Sequence, residues 1–403
     1  MFRKKRILQN PIVVDLGARE VKVLTYSEDP ETRNVVVHGL GSSRISPGKV
    51  LHGCLSEPYE VITAIENAYI EAKAPHQNQD SLTILTGVSG IMMDVVCSEI
   101  DHRREHPHKK IRPKEWTATL DRIRCRIDEE EYRSSKHHNA PMGLAQSSIE
   151  HLFMDGVPIK EIVSNTGQQM TFQLFNTYVP EQHLESLRRV SEELNIPIQG
   201  AFHTMYGVSR LILDNHQNPH LSMILIDIGE DHTDVAIVLE GSLKEVQSFS
   251  IGGSTFTQRI ADTFEISPEE AESIKREYSL AQLPRNISAK ITDVLTDDIK
   301  LWLQGVECSL EKVASDMRLP ERMIVFGGGA SLIGIKEGLE FGNWYKNLSE
   351  SYKPYVSVFY PRSLPHVVDE TDALNDPKYI PLLGILHVGS RMNRESTFGF
   401  NNQ

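Results

Sequence analysis

The chain has 403 residues, 39% of them hydrophobic, and a formal net charge of −13. That length supports two or more cores rather than one. The negative charge argues against nucleic acid or an anionic lipid surface as a general partner, and no apolar run approaches the ~18 residues of a membrane-crossing helix. Cys54, Cys97, Cys125 and Cys308 have no C-x-x-C spacing, which suits a reducing cytosol.

The N-terminal "MFRKKRIL" (1–8) sets four bases beside Phe2, Ile7 and Leu8. It is the better candidate of the two ends for lipid contact, with an ordinary terminus as the simpler reading. Next comes "PIVVDLGAREVKVLTYS" (11–27): an apolar strand, a D-L-G turn and a second strand with rough alternation. "MILIDIGEDHTDVAIVLEG" (223–241) repeats the design, with Asp15 and Asp227 212 positions apart. A repeat at half the chain length predicts duplicated domains facing a cleft, against the plainer reading of two unrelated hairpins. Each hairpin leads into another strand and then a helix. The first helix spans 57–74, with Val61, Ile62, Ile65 and Tyr69 on one face. The second begins at Ser267 as N-cap, with Pro268 at N1 and Glu269 and Glu270 in the first turn. Repeated strand-strand-strand-helix order predicts an α/β or α+β class.

Between the repeats, a segment rich in base and histidine reads as strand, helix, strand, strand, helix, an inserted α+β domain. His102, His106, His108, His137 and His138 have no zinc spacing and stand among Lys and Arg, so a solvated loop is expected there. Further on, "ITDVLTDDIKLWLQGVECSLEKVASDM" has helical spacing, and "ERMIVFGGGASLIGIKEGLEF" (321–341) runs a strand into three glycines and a helix. Adjacent glycines before a helix N-terminus suit close approach to something flat or charged, or simply tight strand–helix packing. No Walker A motif is present.

Together these stretches resemble the actin-fold ATPase superfamily, and within it the bacterial cell-division FtsA family, over nearly the whole chain. The likeness extends to "FSIGGSTFTQRIA" (249–261), "SSIEHLFMDGVPI" and "DPKYIPLLGILHVG" (376–389). It implies an actin-like (ribonuclease H-like) α/β fold, duplicated around a nucleotide cleft. The implied subdomains are 1–87, an insert at 88–182, a return at 183–218, 219–278, a reduced helical part at 279–320, 321–393, and a flexible tail at 394–403. Implied cofactors are ATP and Mg2+, with Asp15 and Asp227 holding the metal through water. By the same resemblance Gly17, Gly229, Thr233, Gly252 and Gly253 close on phosphates, Glu272 and Lys275 match an E-x-x-K pair at the ribose, and Gly327, Gly328 and Gly329 meet the adenosine.

The resemblance also implies self-assembly into a filament or dimer, the insert mediating association, recruitment of division proteins such as tubulin-like FtsZ, and a cytoplasmic location at the inner membrane face. The end "GSRMNRESTFGFNNQ" has only Met392, Phe398 and Phe400 as large apolar residues, so membrane contact is expected to be weak or indirect. FtsA normally builds a small sheet-containing subdomain where 279–320 reads as helical, and that part receives the FtsZ tail. Its reduction favours the alternative of a PilM-like pilus-assembly scaffold. A sugar-kinase-type enzyme and a scaffold with an empty cleft are the remaining readings. Relatives carry Gly-Gly-Gly-Thr where this chain has Gly229-Glu230-Asp231-His232, and Ala18 stands where Ser or Thr is common. Two carboxylates at a phosphate loop should disfavour hydrolysis, so at most a slow ATPase is expected.

Overall fold

The computed structural model describes residues 10–29, 32, 34–72, 82–130, 140–159, 162–314, 318–348, 352–391 and 397–399. The first half opens with antiparallel strands β1 (Asn10–Leu16), β2 (Glu20–Glu28) and β3 (Val35–Arg44). A two-stranded turn, β4 (Val50–Leu51) and β5 (Cys54–Leu55), leads to helix α1 (Pro58–Ala72), and β6 (Leu82–Val88) returns parallel to β1. The insert follows as β7 (Asp94–Arg103), α2 (Pro113–Glu130), β8 (Met142–Met154), β9 (Val157–Pro158) and β10 (Gln169–Pro180). Helix α3 (Glu181–Leu194) packs back on α1, and β11 (Ile198–His203) joins β6 before α4 (Thr204–His216).

The second half repeats the order. Strands β12 (Met223–Ile228), β13 (Thr233–Leu239) and β14 (Ser242–Phe249) are antiparallel. Helices α5 (Gly253–Phe264), α6 (Pro268–Ser279) and α7 (Arg285–Ala314) precede β15 (Arg322–Phe326), α8 (Ile335–Phe341) and β16 (Tyr355–Val358). The chain ends through β17 (Val367–Asp369), α9 (Ile380–Arg391) and β18 (Thr397–Gly399). Helix α6 starts with Ser267 as N-cap and Pro268 in the first turn, as the sequence predicts, and Glu270 completes a reciprocal capping box with Ser267.

The duplication is visible in strand order. The first sheet reads β11-β6-β1-β2-β3-β17 and the second β16-β15-β12-β13-β14, so five positions correspond one to one. Alternation decides which face each strand buries where. In β1 and β2, Ile12, Val14, Val21 and Val23 face α1 and α3, while Val13 and Leu24 face the opposite way. In β12, Ile224, Ile226 and Ile228 face α5, α6 and α7, while Leu225 joins Val13 and Leu24 in a core shared by both halves.

That shared core is closed by α4 and α9, which cross at glycines. A Cβ on Gly207 would lie 2.6 Å from the backbone of Gly384, and one on Gly384 2.7 Å from the amide of Val208. Nε2 of His387 on α9 bonds Oδ2 of Asp214 on α4 at 2.8 Å. The insert forms its own sheet, β18-β8-β10-β7 with β9 at one side. Thr397–Gly399 therefore pairs with β8 as an edge strand, where a flexible tail is expected from sequence. Residues 1–8, His137, His138, Met392 and Phe400 lie outside the described residues. Among the described residues, no helix is long and apolar enough to cross a membrane.

The glycine crossing yields a stability prediction. Gly384→Ala puts a methyl against backbone that cannot rotate away, and should cost about 2–3 kcal/mol in denaturant unfolding. Ser390→Ala on the same helix should stay within about 0.5 kcal/mol. Equal midpoints for the two variants would show that the helices separate without cost.

Candidate functional site

The two D-x-G hairpins end at equivalent corners of their sheets, and their turns face each other across a cleft of about 460 Å3. In the first, Asp15 stands opposite Lys22 in the β1–β2 register, and Lys22 Nζ donates to Asp15 Oδ2 at 2.7 Å. Burial alone would discharge Lys22, but Asp15, with Glu20 and Asp227, outweighs it and holds the ammonium above its ordinary value. In the second hairpin, Asp227 stands opposite Asp234. Burial, reinforced by Asp234, pushes the Asp227 carboxyl up to about 7, against the opposing pull of His232.

The β12–β13 turn is closed by its own backbone, since Gly229 N donates to the His232 carbonyl at 3.0 Å. His232 sits between two acids: Nδ1 lies 2.5 Å from Asp231 Oδ1 and Nε2 3.7 Å from Asp234 Oδ2. Burial works against its charge, yet Asp234 and Asp231 hold the imidazolium well above its usual range. Asp231 also accepts the backbone N–H of His52 at 2.7 Å, a contact from the β4–β5 turn of the other half. Glu230 accepts from Arg19 Nη1 at 2.9 Å, again across the cleft. The two loop-tip carboxylates, expected from the sequence to disfavour hydrolysis, are each paired here: Glu230 with Arg19, and Asp231 with His232 and the His52 N–H.

The third wall comes from α5, α6 and the turn after β15. Lys275 donates to the Gly253 carbonyl (2.8 Å) and Thr257 Oγ1 (2.6 Å), and pairs with Glu272 at 2.8 Å. The three glycines do different work. Gly327 has φ +88°, and a Cβ there would meet Asp227 Oδ1 at 2.2 Å. Gly329 packs on Ile228, whereas Gly328 has nothing within 4 Å of a built Cβ and faces open space.

Of the residues singled out from sequence, Asp15, Gly17, Asp227, Gly229, Gly253, Glu272, Lys275 and the glycines 327–329 all line this cavity. Thr233 does not. Its hydroxyl donates to the Ile251 carbonyl at 2.6 Å and accepts the Trp302 indole N–H at 3.0 Å, so it is a core bolt. Gly252 serves packing, since a Cβ there would lie 2.6 Å from the Glu230 carbonyl. The N–H groups of Gly253 and Ser254 donate to the carbonyls of Gly229 and Glu230 (2.9 and 2.8 Å), and so tie the turn in place. Sequence reasoning missed Arg19 and Lys22. Lys22 was within reach, because a hairpin opened by a short turn after Asp15 puts a residue a few positions past the turn directly opposite it.

A family model for the cell division protein FtsA matches residues 224–384. FtsA of Staphylococcus epidermidis is 28% identical over 138 residues, 30% of each chain. FtsA of Buchnera aphidicola subsp. Acyrthosiphon pisum is 20% identical over 257 residues, 57% of this chain and 58% of that one. This chain thus spans between 30% and 58% of the length of those relatives. The solved PilM-PilN type IV pilus biogenesis complex superposes with TM-score 0.67 at 17% identity, over 94% of this chain and 98% of that chain. The chain carries the actin-like ATPase fold. Its sequence similarity within that fold is to FtsA.

Two predictions follow from the actin-like cleft's own geometry. Gly327→Ala should destabilise by about 2–4 kcal/mol, while Gly328→Ala changes stability by less than about 0.5 kcal/mol; thermal denaturation of both variants separates a strained glycine from a free one. Asp227 binds its proton more tightly folded than unfolded. Its contribution is therefore a penalty, absent below pH ~4 and fully present above ~7. Asp227→Asn should raise ligand-free stability at pH 8 by on the order of 1–3 kcal/mol, allowing for solvent in the cleft, with the gain shrinking as pH falls from 7 to 4. A gain that does not vary with pH would contradict the charge assignment.

Proposed function

We propose that the cleft binds ATP and that the chain is an FtsA-like cytoskeletal adaptor, assembling with itself and with division proteins. The observation that carries the nucleotide reading is the facing pair of D-x-G turns, with the Lys22–Asp15 pair on one wall of the cavity and an open glycine turn on another. Lys22, Lys275 and Arg19 supply positive charge for phosphates, and Gly328 leaves room for a flat base against backbone. Asp15 and Asp227 suit a magnesium ion held through water. Direct ligation is not favoured, since among the described residues no three acidic, histidine or cysteine side chains cluster as metal ligands. When bound, the ion would neutralise phosphate charge; the chain's part is to keep Asp227 ionisable and Lys22 charged.

A PilM-like pilus scaffold is the second reading, and one observation favours it. The segment after α6 contains the 30-residue helix α7 and, among its described residues, no strand, where FtsA builds a sheet-containing subdomain for the FtsZ tail. The insert, with its own core around Phe172 and Tyr178, is the proposed surface for self-association in either case.

The test is calorimetric titration with Mg-ATP beside Lys22→Met. The native protein should bind in the micromolar to submillimolar range, and the variant roughly tenfold or more weakly. No binding at millimolar ATP would leave the empty-cleft scaffold as the reading. Division and pilus roles are then separated by whether an FtsZ C-terminal tail peptide binds the ATP-loaded protein.

A further inference from the structure

Glu230 and Arg19 lie 211 positions apart, on the tips of the two facing turns, and meet at 2.9 Å. The contact crosses the cleft between the two turns, and both residues line the cavity. The two side chains are 25% and 30% exposed, so the pair is reachable from the cavity. Arg19 has a second acid, Glu272, at 3.8 Å, which keeps the guanidinium in the cleft if Glu230 leaves.

The backbone beneath Glu230 is fixed: its carbonyl accepts from Ser254 N at 2.8 Å and Ser254 Oγ at 2.7 Å. Only its side chain is free to move. Asp231, its neighbour, is held differently. His232 and the His52 N–H occupy its two oxygens, and both Asp231 and His232 side chains are less exposed than the Arg19–Glu230 pair. One of the two loop carboxylates is thus part of a closed network, and the other occupies a guanidinium that faces the cavity.

We propose that Arg19 is an anion-binding residue for the outer phosphates of a polyphosphate ligand, and that Glu230 is its built-in competitor, a carboxylate standing where phosphate oxygens bind. This rests on the nucleotide reading above and adds to it a residue and a selectivity. Guanidinium matches carboxylate and phosphate with the same planar fork, so one can replace the other without rearranging Arg19. A ligand with two or three phosphates displaces Glu230; a monophosphate does not reach it.

The experiment measures equilibrium binding of ATP, AMP and inorganic tripolyphosphate to the native chain, Glu230→Gln, Arg19→Ala and the double variant, with circular dichroism to confirm folding. Glu230→Gln should tighten ATP and tripolyphosphate roughly five- to twentyfold and leave AMP within about twofold. Arg19→Ala should weaken ATP against AMP, and in the double variant the gain from Glu230→Gln should vanish. An ATP to AMP ratio that Glu230→Gln leaves unchanged overturns the proposal, as does a gain that survives loss of Arg19. If tripolyphosphate shows the full pattern while neither nucleotide binds, the anion site stands and the nucleotide reading falls. If none of the three ligands binds any variant, both fall.

Discussion

The approach of α4 and α9 at Gly207 and Gly384 sets everything above it. Helix α4, from the first half of the chain, lies against β12, β13 and β14 of the second sheet, and α9, from the second half of the chain, lies against β1 and β6 of the first. Two methyl groups at the crossing would push the helices apart, and the sheets with them, because protein interiors have no slack at this scale. Gly87, where a Cβ would meet Ile385 at 2.6 Å, makes the same demand on the first sheet. The halves therefore share one core rather than resting against each other. The hairpin turns at its mouth are brought within side-chain reach of one another by backbone contacts at its base.

At that mouth the duplication is geometric but not electrostatic. The residue opposite Asp15 is Lys22, whereas the residue opposite Asp227 is Asp234. The first turn adds Arg19 and the second adds Glu230 and Asp231. A protonated His232 moderates the acidic side from within, pinned between two carboxylates. Without it the facing carboxylates Asp227 and Asp234 would repel with no cation between them, at several kcal/mol for a close pair at an effective dielectric near 20. The histidine in "GEDHT" is thus what makes so acidic a turn tolerable.

Much of this was legible in the chain. Alternating apolar runs on either side of D-x-G gave the hairpins, their spacing gave the duplication, and Ser267-Pro268-Glu269-Glu270 gave the start of α6, because each signal is local. The cavity lining was legible where a residue's role follows from its place in a turn, as for Asp15, Asp227 and Gly327. It failed where role depends on a distant partner. Thr233 looks like a loop hydroxyl until Trp302, 69 positions away, takes it into the core. Glu230 looks like an open charge until Arg19 arrives from the other half. Gly252 looks like a phosphate glycine until the Glu230 carbonyl is placed over it. The exchange of α4 and α9 between halves has no sequence period at all.

These features bear on how such a cleft responds to a ligand. A clamp with two like-charged or neutral lips needs its ligand to bridge them, and stays open without it. Here the lips carry opposite charge and already touch through Arg19–Glu230 and the His52–Asp231 backbone contact. A part-buried charge-assisted pair of that kind contributes about 1–3 kcal/mol, roughly a five- to 150-fold preference for the joined conformation. A polyanion entering between the lips then does not create closure. It replaces one internal contact by an external one, so its apparent affinity is the difference between two similar interactions. Any coupling from cleft to surface must come from what that replacement frees: a glutamate on the second half, and a side-chain tie between the two turn tips that solvent can reach.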